Sequence, residues 1–323
     1  MVTSNSEFKV QKIITDRAVG LIQDTNDFVA TRAFPVVSFD EEYGSYPQYK
    51  LDDLLKSTLK QVGPSGDFDM SEVDLEWKTV ELFKHGVDRP IADEKRKRMG
   101  GNNAVQDAAD QLMVEAYRYL DKLTISAVLA DASFDYLKTG KTSSPSTNEF
   151  LSFADGSSDP INDVKSWIRE ISAATGQMMD SIMITRDAYD KLYNHADLIG
   201  RVGQNINFRQ FEDKFLAQLF GIQNVYVANG VINTANKGAS ANTALQATDS
   251  MLIYKKGGNS LSSIGAAKIL YCNNPIYGGN LFNISTLRDP WKEMEAVRIK
   301  GHFMPVVTSK PLGMKIKNMF VTA

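Results

Sequence analysis

The stretch NAVQDAADQLMVEAYRYLDKLTISAVLAD, Asn103 to Asp131, decides the fold. Val105, Ala108, Ala109, Leu112, Met113, Ala116, Leu120, Leu123 and Ala127 recur at the three- and four-residue steps of one helical stripe. At 1.5 Å per residue such a helix is roughly 40 Å long. A typical globular helix has only about 11–12 residues. A helix of this length spans a domain, and it suggests a part made to lie beside copies of itself.

The flanks of this helix change character sharply. Residues 36–84 hold eleven acids, Asp40 through Glu81, against five lysines. Val73, Leu75 and Trp77 alternate with polar residues, as in a strand, and the apolar phase then slips near Thr79–Val80. Gly63-Pro64-Ser65-Gly66 is a turn signal ahead of this strand. The reading is a long acidic hairpin or flap, bent at its root. Residues 88–98 reverse the sign, with Arg89, Lys95, Arg96, Lys97 and Arg98 against Asp88, Asp93 and Glu94. Residues 1–35 form a polar arm with balanced charge.

Beyond the helix, residues 138–162 are rich in Gly, Ser, Thr and Pro and read as a connector. Compact α/β texture follows. Asp159-Pro160 opens a helix carrying Val164, Trp167, Ile168 and Ile171 and stopped by Gly176. Ile182-Met183-Ile184 reads as a buried strand. Tyr189, Leu192, Tyr193 and Ala196 make a second helix ending at Gly200, and Phe208 to Leu219 a third ending at Gly221. Val225–Val227 and Met251–Tyr254 add strands, and strand character returns at Ile269–Tyr271, Leu281–Leu287 and Val297–Phe303. From Ala296 onward there are five Lys/Arg residues and no acid, a basic surface that could face nucleic acid or an acidic neighbour.

Composition narrows the function classes. A hydrophobic content of 43% supports a real core, and a net charge of −3 argues against a dedicated nucleic-acid binder. The single cysteine, Cys272, excludes an intrachain disulfide framework and reads as a packed small hydrophobe. No run of about 18 apolar residues exists. His85, His195 and His302 lack metal-ligand spacing. Gly140-Lys141-Thr142 resembles the end of a phosphate loop, but Asp135 stands where its first glycine belongs. Asp67 to Glu72 begins like a calcium loop, with Glu72 in place of the tight-turn glycine. No catalytic, cofactor-binding or metal-binding residue is assigned, and no cofactor is expected. Trp77, Trp167 and Trp291 read as core and interface anchors.

The order of parts resembles the major capsid protein of tailed bacteriophages, the HK97-type α+β fold. Phe28-Val29-Ala30 with Ala33-Phe34-Pro35-Val36-Val37 looks like a segment of many such coat proteins. Ile161–Ile168, Gly176, Ser181–Ile184 and Asn194-His195-Ala196 are similar to the family's axial domain, continued by Phe215–Gly221 and Val225–Val227. The resemblance implies an N-terminal arm at 1–39 and an extended loop at 40–85. It implies a peripheral domain at 86–134 and 270–323 with a spine helix at about 103–131, and an axial domain at 135–269. It implies self-assembly through hexamers and pentamers into an icosahedral shell around double-stranded DNA, a virion location and assembly in the host cytoplasm. With about a hundred residues ahead of the spine, no fused scaffolding segment fits, so a separate scaffolding protein and a portal are the expected partners, and the chain reads as a full-length mature form. Contact with packaged DNA would be weak, non-specific and salt-sensitive; no membrane partner is expected. The alternatives are an encapsulin-type nanocompartment shell and, from another class, a cytosolic α/β enzyme.

If the flap of one subunit lies across the basic shoulder of the next, charge reversal from Lys95 to Arg98 impairs assembly more than subunit folding. Normal assembly of that variant, followed by sedimentation, would refute the pairing.

Overall fold

The structure is a computed structural model, which describes residues 28–49, 75–98, 102–202, 212–233, 242–244, 249–274, 279–291 and 293–321. Its helices are α1 (Ala30–Ala33), α2 (Asp93–Arg98), α3 (Asn102–Val128), α4 (Pro160–Thr175), α5 (Arg186–Tyr193), α6 (Ala196–Val202) and α7 (Glu212–Phe220). The strands are β1 (Val36–Phe39), β2 (Tyr43–Tyr49), β3 (Leu75–Glu81), β4 (Phe83–Ala92), β5 (Tyr136–Lys141), β6 (Glu149–Leu151), β7 (Ser181–Thr185) and β8 (Asn224–Ala228). They continue as β9 (Val231–Asn233), β10 (Asn242–Ala244), β11 (Met251–Tyr254), β12 (Ala267–Cys272), β13 (Asn283–Asp289), β14 (Met294–Val307) and β15 (Gly313–Lys317).

The expected spine is present as α3, 27 residues long. Val105, Ala109, Leu112, Met113 and Leu120 are buried, as the stripe requires. The last two turns differ from expectation. Leu123 and Ala127 are only half-buried, and the core face instead runs through Asp121, Thr124, Ile125 and Val128. The 3.6-residue period continues through two polar residues that an apolar search skips.

α3 packs across a five-stranded sheet, chiefly on β14 and β4. In that sheet β1, β12, β14 and β13 are consecutive, and β4 pairs with β14 along Phe83–Ala92. β14 is long enough for its first half to pair with β13 and its second half with β12. A second sheet has six strands in the order β6-β5-β15-β11-β7-β8. Its central strands β7 and β11 are buried at every position, the pattern of strands covered on both faces. α4 lies near it, opened by Asp159, whose carboxylate accepts the Asn162 N–H at 3.1 Å, and closed by Gly176 at φ 63°.

Sheet membership cuts across the expected domain limits at two places. β1 falls within 1–39 but joins the five-stranded sheet, parallel to β12. β15 falls within 270–323 but returns to the six-stranded sheet, between β5 and β11. Gly313 makes that return fit, because a Cβ there would stand 2.4 Å from the Phe134 ring. The connector at 138–162 holds two strands, β5 and β6, that the sequence conceals. β5 buries Lys138 rather than an apolar residue, with the ammonium paired to Glu170 at 3.0 Å. The helix expected to run from Tyr189 to Gly200 is broken at Asn194–His195. The Asp197 N–H donates to His195 Nδ1 at 3.2 Å and starts α6 as a separate helix containing Gly200.

β2 and β3 form a two-stranded hairpin outside both sheets, in register from Tyr43↔Glu81 to Tyr49↔Leu75. The expected bend at its root occurs at Leu82, between β3 and β4, rather than at Thr79–Val80. The turn signal at residues 63–66 and the acidic run at 67–74 lie outside the described residues. So do Phe208 and Phe211 of the third helix expected beyond the connector, whose described part, α7, ends before Gly221 at φ 75°. Among the described residues no helix is long and apolar enough to cross a membrane.

Leu112 is fully buried at the centre of α3. Leu112→Ala should lower unfolding stability by about 2–5 kcal/mol in denaturant titrations, through lost apolar contact and an uncollapsed cavity.

Candidate assembly surfaces

Residues 28–39 join three elements. The Asp121 carboxylate, 1% exposed, accepts the Val29 N–H at 3.1 Å and the Ala30 N–H at 2.8 Å, tying this segment to the spine. The buried Tyr254 hydroxyl donates to the Ala33 carbonyl at 2.9 Å, and its ring lies 5.0 Å from that of Phe34, tying the segment to β11. The Ile269 N–H donates to the Pro35 carbonyl at 2.9 Å, and β1 then continues alongside β12. Val29, Ala30, Ala33 and Phe34 are all buried. The sequence motif that suggested a coat protein is therefore the joint between both sheets and the spine. A second joint closes the far end of α3. The Lys315 ammonium donates to the Leu129 carbonyl and to Asp131 at 2.5 Å, while Lys317 reaches Asp131 at 2.7 Å. Hydrogen bonds from these lysines pull the Asp131 pKa down to about 2.

The hairpin is rooted in a small separate core. Val37, Tyr46, Val80, Leu82, Leu270 and Cys272 pack together there. Cys272 is a buried free thiol within it, as expected for a small hydrophobe. The Leu82 N–H donates to the Glu42 carbonyl at 2.7 Å, and the Glu42 carboxylate lies 3.1 Å from His302 Nε2. Burial lowers the His302 pKa, against the pull of Glu42. Above the root the hairpin is uncovered: Tyr43 is 63% and Trp77 61% exposed. Trp291, in the turn after β13, is 95% exposed, whereas Trp167 is buried among Phe150 and Phe153. Of the three tryptophans, one is a core anchor and two stand on the surface.

The basic regions are partly neutralised within the subunit. Arg89 donates to Gln111 at 2.7 Å and Glu115 at 3.0 Å, and Arg96 pairs with Glu295 at 2.6 Å. Lys97 and Arg98 remain exposed. The C-terminal basic surface expected from Ala296 onward does not stand as a unit. Arg298 pairs with Asp88 at 2.6 Å, and Lys315 and Lys317 converge on Asp131. The acids that answer these cations come from distant sequence, so a local charge tally cannot find them.

The remaining titratable groups are dispersed. The His85 ring lies 4.6 Å from that of Phe303 and 5.2 Å from that of Tyr119, tilted to both. His195 Nε2 lies 3.3 Å from the Ser158 hydroxyl. Gly140 sits near the end of β5 with its missing Cβ 1.9 Å from the Asn318 carbonyl oxygen, so close backbone approach explains it. Among the described residues no group of three or more His, Cys, Asp or Glu is placed to hold a metal. The buried Lys268 ammonium donates to the carbonyls of Ser260, Leu261 and Ser263 at 2.6–3.0 Å and so organises the preceding loop. Sequence reasoning missed Asp121, Tyr254 and Lys268. Asp121 was detectable, because the helical period continued from Met113 passes through it.

Burial pushes the Asp121 pKa up to about 6 from 3.8, against two N–H donors that favour the carboxylate. The folded state therefore holds this proton more tightly than the unfolded chain. That contribution is full below about pH 4 and is lost as pH rises through about 6. Relative to Asp121→Asn, the natural chain should lose ~3 kcal/mol across that window. Denaturant unfolding at a series of pH values checks this, and parallel profiles would contradict it.

No family model matches the sequence. The chain is 23% identical over 231 residues to the major capsid protein of Burkholderia phage BcepMu, covering 69% of each chain. It superposes on a phage-related protein from Bordetella bronchiseptica with a TM-score of 0.72 at 13% identity, covering 97% of this chain and 98% of that one. The capsid structure of cyanophage P-SCSP1u matches with a TM-score of 0.53 at 11% identity, over 88% and 86% of the two chains. The spine helix, the five- and six-stranded sheets and the β2–β3 hairpin together make this an HK97-type capsid fold.

Proposed function

We propose that this chain is the major capsid protein of a tailed phage, a structural and non-enzymatic subunit that self-assembles into the icosahedral shell enclosing double-stranded DNA. The observation that carries the reading is the β2–β3 hairpin. An isolated two-stranded hairpin is marginally stable in water at best. This one is rooted in a separate small core and exposes Tyr43 and Trp77 along its length. Its faces are covered when copies overlap. Many such overlaps of modest strength sum through multivalency, and a net charge of −3 keeps repulsion between copies low.

The shell reading carries further parts. Its assembly takes place in the host cytoplasm with a separate scaffolding protein and a portal, and the product is a virion component. The acidic flap lies on Lys97 and Arg98 of the adjacent subunit's shoulder, which have no carboxylate partner among the pairs described above. Contact with DNA is non-specific and weak, since Arg298, Lys315 and Lys317 are already answered by carboxylates.

Expression of the chain with and without a scaffolding protein, followed by sedimentation and electron microscopy, tests this. The expected result is closed shells, or pentamers and hexamers. A discrete small dimer with turnover on a substrate panel would overturn it, and shells that enclose an enzyme in place of DNA would assign the fold to a nanocompartment.

A further inference from the structure

The β2–β3 hairpin meets the body of the subunit over one histidine. Side chains alternate along a strand, so His302 shares a face of β14 with Met304 and Val306. Those two pack against the root cluster of Val37, Tyr46, Val80, Leu82, Leu270 and Cys272. His302 is 4% exposed, and its Nε2 lies 3.1 Å from the Glu42 carboxylate. Glu42 lies in the turn between β1 and β2, and its carbonyl accepts the Leu82 N–H from the other leg of the hairpin. Glu42 therefore ties both legs of the root to each other and to β14.

The surroundings oppose a proton on His302. Glu42 attracts it, but the Glu42 side chain is 39% exposed, so water screens the attraction. Lys84 of β4, opposite His302 in the ladder, and Lys300 of β14 repel it. His85, next to Lys84, adds repulsion. In the hairpin, burial pushes the Tyr46 phenol up, and it stays neutral. Burial is the largest influence and lowers the His302 pKa. An imidazole uncovered by a swing of the hairpin is solvated and keeps an ordinary value of about 6.5. The hold on the root is full above about pH 6.5 and is lost as pH falls below it, toward the lower value of the closed root. The Asp121 clamp has the opposite sign, because acid firms it.

We propose that His302 is a proton-sensitive latch: mild acid frees the β2–β3 hairpin from the five-stranded sheet while the spine stays in place, and neutral pH seats it again. Its use in assembly, where it sets how freely the hairpin reaches a neighbour, rests on the shell reading. The latch itself is a property of the free subunit, so either can fail alone.

The single cysteine of the chain reports the latch, because Cys272 is buried with Tyr46, Val80 and Leu82 in the root cluster. Dilute subunits of the full chain are reacted with 4,4′-dithiodipyridine, and the rate is divided by that of the urea-unfolded chain at the same pH, which removes the titration of the thiol itself. Between about pH 7.5 and about pH 5 this relative rate should rise several-fold. The ceiling is about 30-fold, set by a solvated imidazole of pKa about 6.5 and a closed root that takes up no proton. Each variant is read as its own ratio between the two pH values. His302→Gln should abolish the rise, and His85→Gln should keep it. Glu42→Gln should enlarge the rise by removing an attraction, and Lys84→Gln should reduce it by removing a repulsion. An unchanged relative rate in the natural chain, a rise that survives His302→Gln, or one that vanishes in His85→Gln overturns the proposal. So does a shift of the Glu42 and Lys84 variants in the same direction, the result a purely structural contact would give. Hydrogen exchange of α3 should stay slow at both pH values; its loss alongside Cys272 exposure would mean general unfolding and would also overturn the latch.

Discussion

A single buried carboxylate, Asp121, sets the geometry of this subunit. It accepts two backbone N–H groups from Val29 and Ala30 in a region where water cannot substitute for it. Backbone donors buried without a partner cost about 1–3 kcal/mol each, so the arm segment cannot leave its place without a large penalty. Once held, that segment delivers Ala33 to Tyr254 and β1 to β12. Three elements that share few direct contacts are thereby given one orientation. The burial that makes the clamp firm also raises the carboxyl pKa into the mildly acidic range, so its strength varies with proton concentration.

From this joint follows a division of stability. The two sheets and the spine form one extensive core. The hairpin root is a separate cluster of only a few side chains. Cooperative packing resists deformation in the first, while the second sets Tyr46, Val80 and Leu82 of the hairpin and its root against Val37, Leu270 and Cys272 of the five-stranded sheet, with Glu42 reaching His302 beside them. A tile that must overlap its neighbours in a curved sheet benefits from that arrangement: a stiff body fixes spacing, and a weakly rooted projection adjusts to the surface it meets. The exposed aromatic residues Tyr43 and Trp77 are suited to become interface anchors once a neighbour covers them.

The parts legible in the sequence were those governed by local periodicity. The spine, α4 with its Asp159 cap and Gly176 stop, the buried β7 and β11, and the strand at Leu75–Glu81 all carry their own patterns. What escaped depends on partners distant in sequence. β5 is invisible because Lys138 occupies a buried position through Glu170, and β15 because its sheet assignment is decided by Phe134 and Gly313. The C-terminal basic surface was overestimated for the same reason, since Asp88 and Asp131 lie far upstream. The surfaces proposed for assembly follow this rule too: their apolar exposure is defined only after folding.

The central claim is that this chain is completed by copies of itself. Hydrogen exchange measured on free subunits and on assembled particles tests it directly. The account predicts rapid exchange in the hairpin segments 43–49 and 75–81 of the free subunit and strong protection in the particle, with α3 protected in both. Equal protection of the hairpin in the free subunit would show that it needs no neighbour and would contradict the account.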